Sequence, residues 1–98
     1  MEIVYENKKI RKVCIDAAVA EQKYGIKMAL KIQQRIEEIS AAETVEKMIE
    51  FNIGRCHKLK GNRKYQYAVD LVQPYRLIFE KQDSYIQIVN IIEITDYH

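Results

Sequence analysis

The sequence predicts an α+β domain, in which an N-terminal helical hairpin packs on one face of a mostly antiparallel sheet of about four to five strands. Two observations predict this class. Apolar residues in the first half recur at helical spacing, and from Arg55 onward the period changes to about two, as in strands. A chain of 98 residues is expected to form one domain, residues 1–98, with a single core.

The helical half follows a short β-prone segment. Glu2–Tyr5 is predicted to be an edge strand, and Asn7 a good N-cap for the helix behind it. Asp16 offers an alternative second helix start, and Gly25 marks a break. The strongest helical signal covers residues 26–40, where an apolar stripe is formed by Ala29, Ile32, Ile36 and Ile39.

A short connecting helix is predicted over residues 40–51. Ser40 and Glu43 have capping-box spacing, and Thr44 offers a second cap. Strands are then predicted over residues 65–72, 75–80 and 85–95, with Pro74 in a turn. The run at residues 89–92 is apolar apart from Asn90, as expected of a buried central strand.

The composition excludes several classes. An apolar fraction of 48% argues against disorder, and no apolar run approaches a membrane span. The start, MEIVYENKK, lacks the apolar region of a signal peptide, so we expect a cytoplasmic protein. Cys14 and Cys56 have no metal-ligand spacing and are interpreted as small buried hydrophobic residues; a disulfide or a catalytic thiol is the alternative.

Positive charge is concentrated around a turn at Gly61-Asn62, although the net charge is only +2. Five cations fall within ten residues: Arg55, Lys58, Lys60, Arg63 and Lys64. Between Phe51 and Val69 there is no acidic residue. Such local clustering predicts a site for an anionic ligand.

The only histidines are His57, within this basic segment, and His98, the last residue. RNA is cleaved without metal when the 2′-hydroxyl attacks the adjacent phosphate, which requires a base, an acid and cations. These two histidines and the basic cluster contain such groups, although a single histidine is more often structural. Candidates for stacking on an unpaired base are Tyr65, Tyr67, Tyr75 and Tyr97, for which sheet packing is the alternative.

Three motifs resemble a known family in their order and spacing. They are H-x-L-K-G-x-R at residues 57–63, aromatic-R-L-I-F at residues 75–79 and I-E-I-x-D-Y-H at residues 92–98. The chain resembles the HigB branch of the RelE-like toxins, the toxin halves of type II toxin–antitoxin pairs, also called plasmid maintenance killer proteins. The resemblance covers nearly the whole chain, including its length and element order.

The resemblance implies a compact sheet with helices on one side. It also implies an mRNA interferase, an endoribonuclease that cleaves mRNA in the ribosomal A site without metal or cofactor. The partner it implies is a HigA-like helix-turn-helix antitoxin.

The residues carried over as catalytic are His57, Arg76, Asp96, Tyr97 and His98. We assign proton transfer to His98, which Asp96 orients. His57 is the second acid or base, or a phosphate contact, and Arg76 is the phosphate clamp. Tyr97 stacks on a base or assists proton transfer. The expected RNA- and phosphate-binding residues are Arg55, Lys58, Lys60, Arg63, Lys64 and Tyr75, the last standing where the family commonly has Trp.

Two other functions are compatible with the same features. ParE-like toxins share this architecture but inhibit DNA gyrase, and a non-catalytic RNA- or partner-binding module would need only the basic segment. A cutting site requires that the last strand neighbour the strand at residues 75–80. That arrangement would bring Asp96, Tyr97 and His98 beside Arg76 and His57.

Overall fold

The computed structural model describes residues 1–63, 65–82, 85 and 87–96, and within them it contains four α-helices and five strands. In chain order the elements are β1 (Glu2–Tyr5), α1 (Lys8–Ile15), α2 (Ala17–Tyr24), α3 (Ile26–Ala41), α4 (Val45–Glu50), β2 (His57–Lys58), β3 (Gln66–Asp70), β4 (Tyr75–Lys81) and β5 (Ile88–Asp96). Short 3₁₀ turns occupy Ile53–Arg55 and Gly61–Arg63. The predicted α+β class is confirmed.

The five strands form one mixed sheet in the order β1-β5-β4-β3-β2. β1 runs parallel to β5 at one edge, and the other three pairs are antiparallel. The predicted edge position of β1 is confirmed. So is the pairing of the last strand with β4, in which Leu77 lies opposite Ile94 and Tyr75 opposite Asp96.

The helix boundaries follow local capping chemistry. Asn7 Oδ1 accepts a hydrogen bond from the backbone N–H of Ile10 at 2.9 Å, so the predicted cap of α1 is confirmed. Asp16 Oδ1 accepts a hydrogen bond from Ala18 N–H at 3.0 Å, so Asp16 caps a second helix, α2, as the sequence offered. Gly25 separates α2 from α3 with φ +91°, a value that few other residues tolerate.

The predicted start of α4 at Ser40 is wrong. Ser40 lies inside α3, because the apolar face of that helix remains buried through Ile39. Thr44 caps α4 instead, with its hydroxyl accepting from Lys47 N–H at 3.0 Å. Two cap signals lay four residues apart, and burial of the preceding helix decided between them.

The main core lies between the helices and one face of the sheet. Its fully buried side chains include Ile32 and Ile39 of α3 and Leu77, Phe79 and Ile91 of the sheet. A separate small cluster of Leu59, Ala68 and Ile78 lies on the opposite face. That opposite face, which carries Ala68, Asp70, Arg76, Ile78 and Glu93, is called the open face below.

Two predicted strand starts are wrong. Tyr65 has φ +77°, is exposed and precedes β3, and Tyr85 is exposed and precedes β5. Tyr67 is buried, with its ring stacked 5.7 Å from that of Phe79, so packing is its role. No helix in the described part of the chain is long and apolar enough to cross a membrane.

A β-bulge shifts the register between β4 and β5. Ile78 lies opposite Glu93, whereas the next residue, Phe79, lies opposite Ile91. Ile92 is therefore the extra residue. The bulge keeps Ile91 in the core and still turns Glu93 to the open face.

Candidate functional site

A pocket of about 240 Å³ on the open face collects predicted residues from four parts of the chain. Its lining consists of His57 and Lys58 from β2, Leu59 and Lys60 from the next loop, Arg63 from the 3₁₀ turn and Arg76 from β4. Four of these six side chains are cationic. Such a concave cationic pocket is suited to bind phosphate.

His57 is held with a defined ring orientation. Its Nδ1 lies 2.9 Å from the backbone oxygen of Arg55. A carbonyl oxygen can only accept, so Nδ1 carries the proton and the lone pair of the neutral ring resides on Nε2. The half-buried imidazole can therefore take up a proton at Nε2.

Arg76 is half-buried on β4, with its Cα opposite those of Asp70 and Thr95 on the flanking strands. Its Nε lies 3.7 Å from Asp70 Oδ1. The other carboxylate oxygen of Asp70, Oδ2, accepts a hydrogen bond from Arg55 Nε at 2.5 Å. Asp70 therefore lies between two of the predicted cations.

Asp70 is a residue that the sequence interpretation missed, because alternation along β3 assigned it only to a strand face. It is 9% exposed, and its backbone oxygen accepts a hydrogen bond from Arg35 Nε at 2.6 Å. One sequence signal was available. Asp70 is the only acidic residue between Glu50 and Glu80, and a tight turn pairs it with Arg76.

Arg63 is also engaged by neighbouring side chains. Its Nη2 donates to Glu93 Oε1 at 2.9 Å, and its Nε donates to Gln66 Oε1 at 2.9 Å. The predicted patch of five cations is therefore less positive than the residue count suggests. Glu93 was missed because its position on the open face depends on the bulge.

The remaining predicted cations differ in their surroundings. Lys58 and Lys60 are exposed at the pocket, whereas Arg55 is anchored by Asp70 with 62% of its side chain exposed. Asp96 is exposed at the end of β5, where its Cα lies opposite that of Tyr75 rather than that of Arg76, and it does not line the pocket. Three predicted site residues lie outside the described part of the chain: Lys64, Tyr97 and His98.

Tyr75 lies away from the pocket. Its ring meets that of Tyr24 edge-on, with centroids 5.6 Å apart, on the helical face of the sheet. Burial, and then the neighbouring Tyr75, raise the pKa of Tyr24. This contact between the helical hairpin and the sheet is the packing role that was the alternative for Tyr75, and its contact with RNA stays a prediction.

The two cysteines lie in the core and are not paired with each other. Burial raises the pKa of both thiols, Cys14 and Cys56, to about 12. Thiols protonated at neutral pH are poor nucleophiles, so the interpretation as buried hydrophobic residues is confirmed. Among the described residues, no three His, Cys, Asp or Glu side chains converge as metal ligands.

Comparison with known proteins shows the fold. No family model and no curated protein sequence matches the chain. A YoeB/ParE toxin from Agrobacterium tumefaciens has a TM-score of 0.66 at 16% identity, with both chains fully covered. A YoeB-YefM complex and a YoeB dimer, both from Staphylococcus aureus, each have a TM-score of 0.65 at 21% identity, covering 100% of this chain and 97% of theirs.

These likenesses show that the chain has the RelE-like toxin fold. The predicted resemblance is confirmed at that level. Similarity at 16–21% sequence identity is evidence for the fold alone, so the function has to be argued from the pocket.

Proposed function

We propose that this chain is the toxin of a type II toxin–antitoxin pair, and that it is an mRNA interferase acting in the ribosomal A site. The observation that carries the proposal is the open-face pocket, where His57 lies among Lys60, Arg63 and Arg76. A histidine beside four cationic side chains combines proton transfer with phosphate binding. The RelE-like fold supports the same function, because one neighbouring structure is named a YoeB/ParE toxin and two others are named YoeB.

In the proposed reaction, the 2′-oxygen of one nucleotide attacks its 3′-phosphorus. The P–O bond to the next 5′-oxygen breaks, leaving a 2′,3′-cyclic phosphate and a 5′-hydroxyl. One group removes the proton of the 2′-hydroxyl and another protonates the departing oxygen, each contributing roughly 10²–10⁴-fold. Arg76 and Lys60 stabilise the negative charge that develops on the phosphate.

His57 and His98 are proposed as the proton-transfer pair, with His98 the principal group and Asp96 orienting it. His57 has the geometry for this role at Nε2, because its Nδ1–H is bound to a carbonyl. Tyr97 is proposed to stack on a base or to assist proton transfer. Support for the two terminal residues comes from the sequence motif at residues 92–98.

A cognate antitoxin is part of the proposal. One of the neighbouring structures is a YoeB-YefM complex, in which a toxin of this fold has a bound partner. For this chain we propose a HigA-like helix-turn-helix partner, following the resemblance in the terminal motifs. Because the proposed substrate is mRNA on translating ribosomes, the protein would act in the cytoplasm.

Gyrase inhibition is the second candidate, because one structural neighbour is named YoeB/ParE. An inhibitor of that kind needs no acid–base groups, so the pocket around His57 favours the nuclease. A DNA supercoiling assay separates the two. Inhibition of gyrase by the purified protein without mRNA cleavage would support the ParE-like alternative.

The proposal is tested by mRNA cleavage on translating ribosomes. We expect His57→Ala to lower the cleavage rate by about 10²-fold or more, and Arg76→Ala similarly. The matched control is Lys27→Ala, which also removes one positive charge but from an exposed position on α3. Undiminished cleavage by both site variants would contradict the proposed site.

A further inference from the structure

The structure assigns a positioning role to Asp70: its carboxylate holds Arg55 and Arg76 as a pair of guanidinium groups facing the RNA backbone. This inference rests on the proposed function and adds a residue to its machinery. Asp70 would not touch RNA itself, because only 9% of its surface is exposed.

The carboxylate of Asp70 lies between the two arginines, and its Oδ2 also accepts a longer hydrogen bond from Gln73 Nε2 at 3.4 Å. Oδ2 accepts from Arg55 Nε at 2.5 Å, and Oδ1 lies 3.7 Å from Arg76 Nε. Oδ1 has no hydrogen-bond donor among the described residues. A carboxylate this buried is strongly destabilising unless cations compensate it, so both arginines are drawn toward it.

The backbone of Asp70 is itself fixed. Asp70 lies in the β3–β4 ladder opposite Arg76, and its backbone oxygen accepts a hydrogen bond from Arg35 Nε at 2.6 Å. Arg35 is in turn held by Glu38 on α3, with Nη1 and Oε1 2.7 Å apart. Arg35 of α3 therefore fixes the backbone from which the Asp70 carboxylate extends, and this makes Asp70 a rigid anchor.

The anchor leaves binding capacity on Arg55. A guanidinium has five N–H donors, and only the Nε–H of Arg55 is used by Asp70. The side chain is 62% exposed, so its Nη groups can reach a phosphate. Fixing a guanidinium before RNA binds reduces the entropy lost on binding and places its charge where the reaction needs it.

If Asp70 positions the arginines, Asp70→Asn should slow cleavage; if Asp70 only contributes negative charge, the same substitution should not. Removal of one negative charge beside two arginines strengthens long-range attraction for RNA. Loss of the anchor misplaces Arg55 and Arg76 and slows cleavage. We therefore expect RNA affinity that is unchanged or tighter, together with a cleavage rate on ribosomes roughly 10- to 100-fold lower.

The matched control is Glu46→Gln, which removes the same charge from an exposed carboxylate paired with Lys81. Lys81 lies five residues along β4 from Arg76, a distance of about 17 Å. This variant should cleave at the wild-type rate. Asp70→Glu keeps the carboxylate on a longer side chain and should recover part of the rate.

A measurement independent of activity is the mobility of the Arg55 Nε–H group, read by ¹⁵N relaxation NMR. We expect a rigid group in the wild type and a mobile one in Asp70→Asn. If Asp70→Asn does not fold, Arg55→Lys is compared with the control instead, because it keeps the charge of a 62% exposed side chain but removes the guanidinium that Asp70 holds; cleavage by Arg55→Lys at the wild-type rate would overturn the inference.

The two possible failures are distinguishable. Wild-type protein that does not cleave mRNA would overturn the proposed function, and the positioning role with it. Active wild type together with a folded Asp70→Asn that cleaves as fast as Glu46→Gln, with Arg55 Nε–H still rigid, would overturn the positioning role alone.

Discussion

Each arginine described at the open-face pocket lies near a carboxylate, and the two carboxylates differ in accessibility. Asp70 is buried behind Arg55 and Arg76, whereas Glu93 is half-exposed and bound to Arg63. A phosphate that binds Arg63 must compete with Glu93. Asp70 lies too deep to be displaced in this way.

Glu93→Gln should therefore strengthen RNA binding. The substitution removes an ion pair in which both side chains are more than 40% exposed. Such pairs contribute about 0.2–1 kcal/mol, so the dissociation constant for a single-stranded RNA oligonucleotide should fall roughly 1.4- to fivefold. Fluorescence anisotropy checks this result, with Glu46→Gln as the charge-matched control. Equal affinities of the two variants would show that Glu93 does not restrain Arg63.

The buried thiols predict a loss of stability at alkaline pH. Burial raises the pKa of Cys14 and Cys56 to about 12 from an ordinary 9.0, so the folded state binds thiol protons more tightly than the unfolded state. Their contribution is fully present below about pH 9 and is lost as the pH rises toward about 12. The free energy of unfolding should fall between these values by up to about 1.4 kcal/mol per pH unit for each thiol.

Urea unfolding at several pH values measures this slope. Lysines and tyrosines also titrate at alkaline pH, so the comparison is with the double variant Cys14→Ala/Cys56→Ala. The double variant should lose stability less steeply. Parallel pH profiles would mean that the thiols do not cause the loss.

Prediction from sequence succeeds at residue scale where chemistry is local. Asn7 and Thr44 cap their helices through hydrogen bonds to residues three positions ahead, which spacing alone can identify. Asp70 acts through Arg55, fifteen residues earlier, and Arg35, thirty-five residues earlier. Such contacts depend on the assembled sheet and leave no periodic signal.

At the scale of elements, Arg35 of α3 lies close to Gly54 in the 3₁₀ turn before β2. Gly54 has φ +58°, and a Cβ there would lie 2.9 Å from Arg35 Nε. Arg35 cannot move freely, because it bonds the backbone of Asp70 and the side chain of Glu38. The glycine therefore permits both the turn and the approach of the arginine.

Gly54→Ala should destabilise the fold by more than Gly61→Ala. Both glycines have positive φ, so both substitutions cost about 1–2 kcal/mol of backbone strain. Only Gly54 also has a neighbour within 4 Å, which should add about 1 kcal/mol or more. Urea unfolding measures the difference. Equal losses in the free energy of unfolding would show that the Arg35 side chain moves aside without destabilising the fold.

The spacing of apolar residues predicted most helices and strands, but several of their first and last residues were predicted wrongly. The stripe of α3 and the alternation of β4 are strong, regular signals, and both elements are present close to the predicted bounds. The two-residue strand β2 and the bulge at Ile92 were missed. Both features arise from pairing with distant strands, which period alone cannot show.

At the scale of the whole molecule, the fold brings His57, Lys60 and Arg63 of the first motif to the same pocket as Arg76 of the second. β4 lies between β3 and β5, so Arg76 faces residues from both flanking strands. Element order and the motif resemblance were sufficient to predict this neighbour relation. Which face each residue occupies was harder to predict, as Tyr75 illustrates, because it depends on where the helices pack.

The most direct test of the central claim uses the chemistry of the RNA. The cleavage position is first mapped on a ribosome-bound mRNA, and a 2′-deoxy nucleotide is then placed on the 5′ side of the scissile phosphate. The account predicts that cleavage at that position is lost while binding to the programmed ribosome is retained, because the attacking oxygen is missing. Cleavage at that position with an unchanged rate would contradict 2′-hydroxyl attack at the open-face pocket.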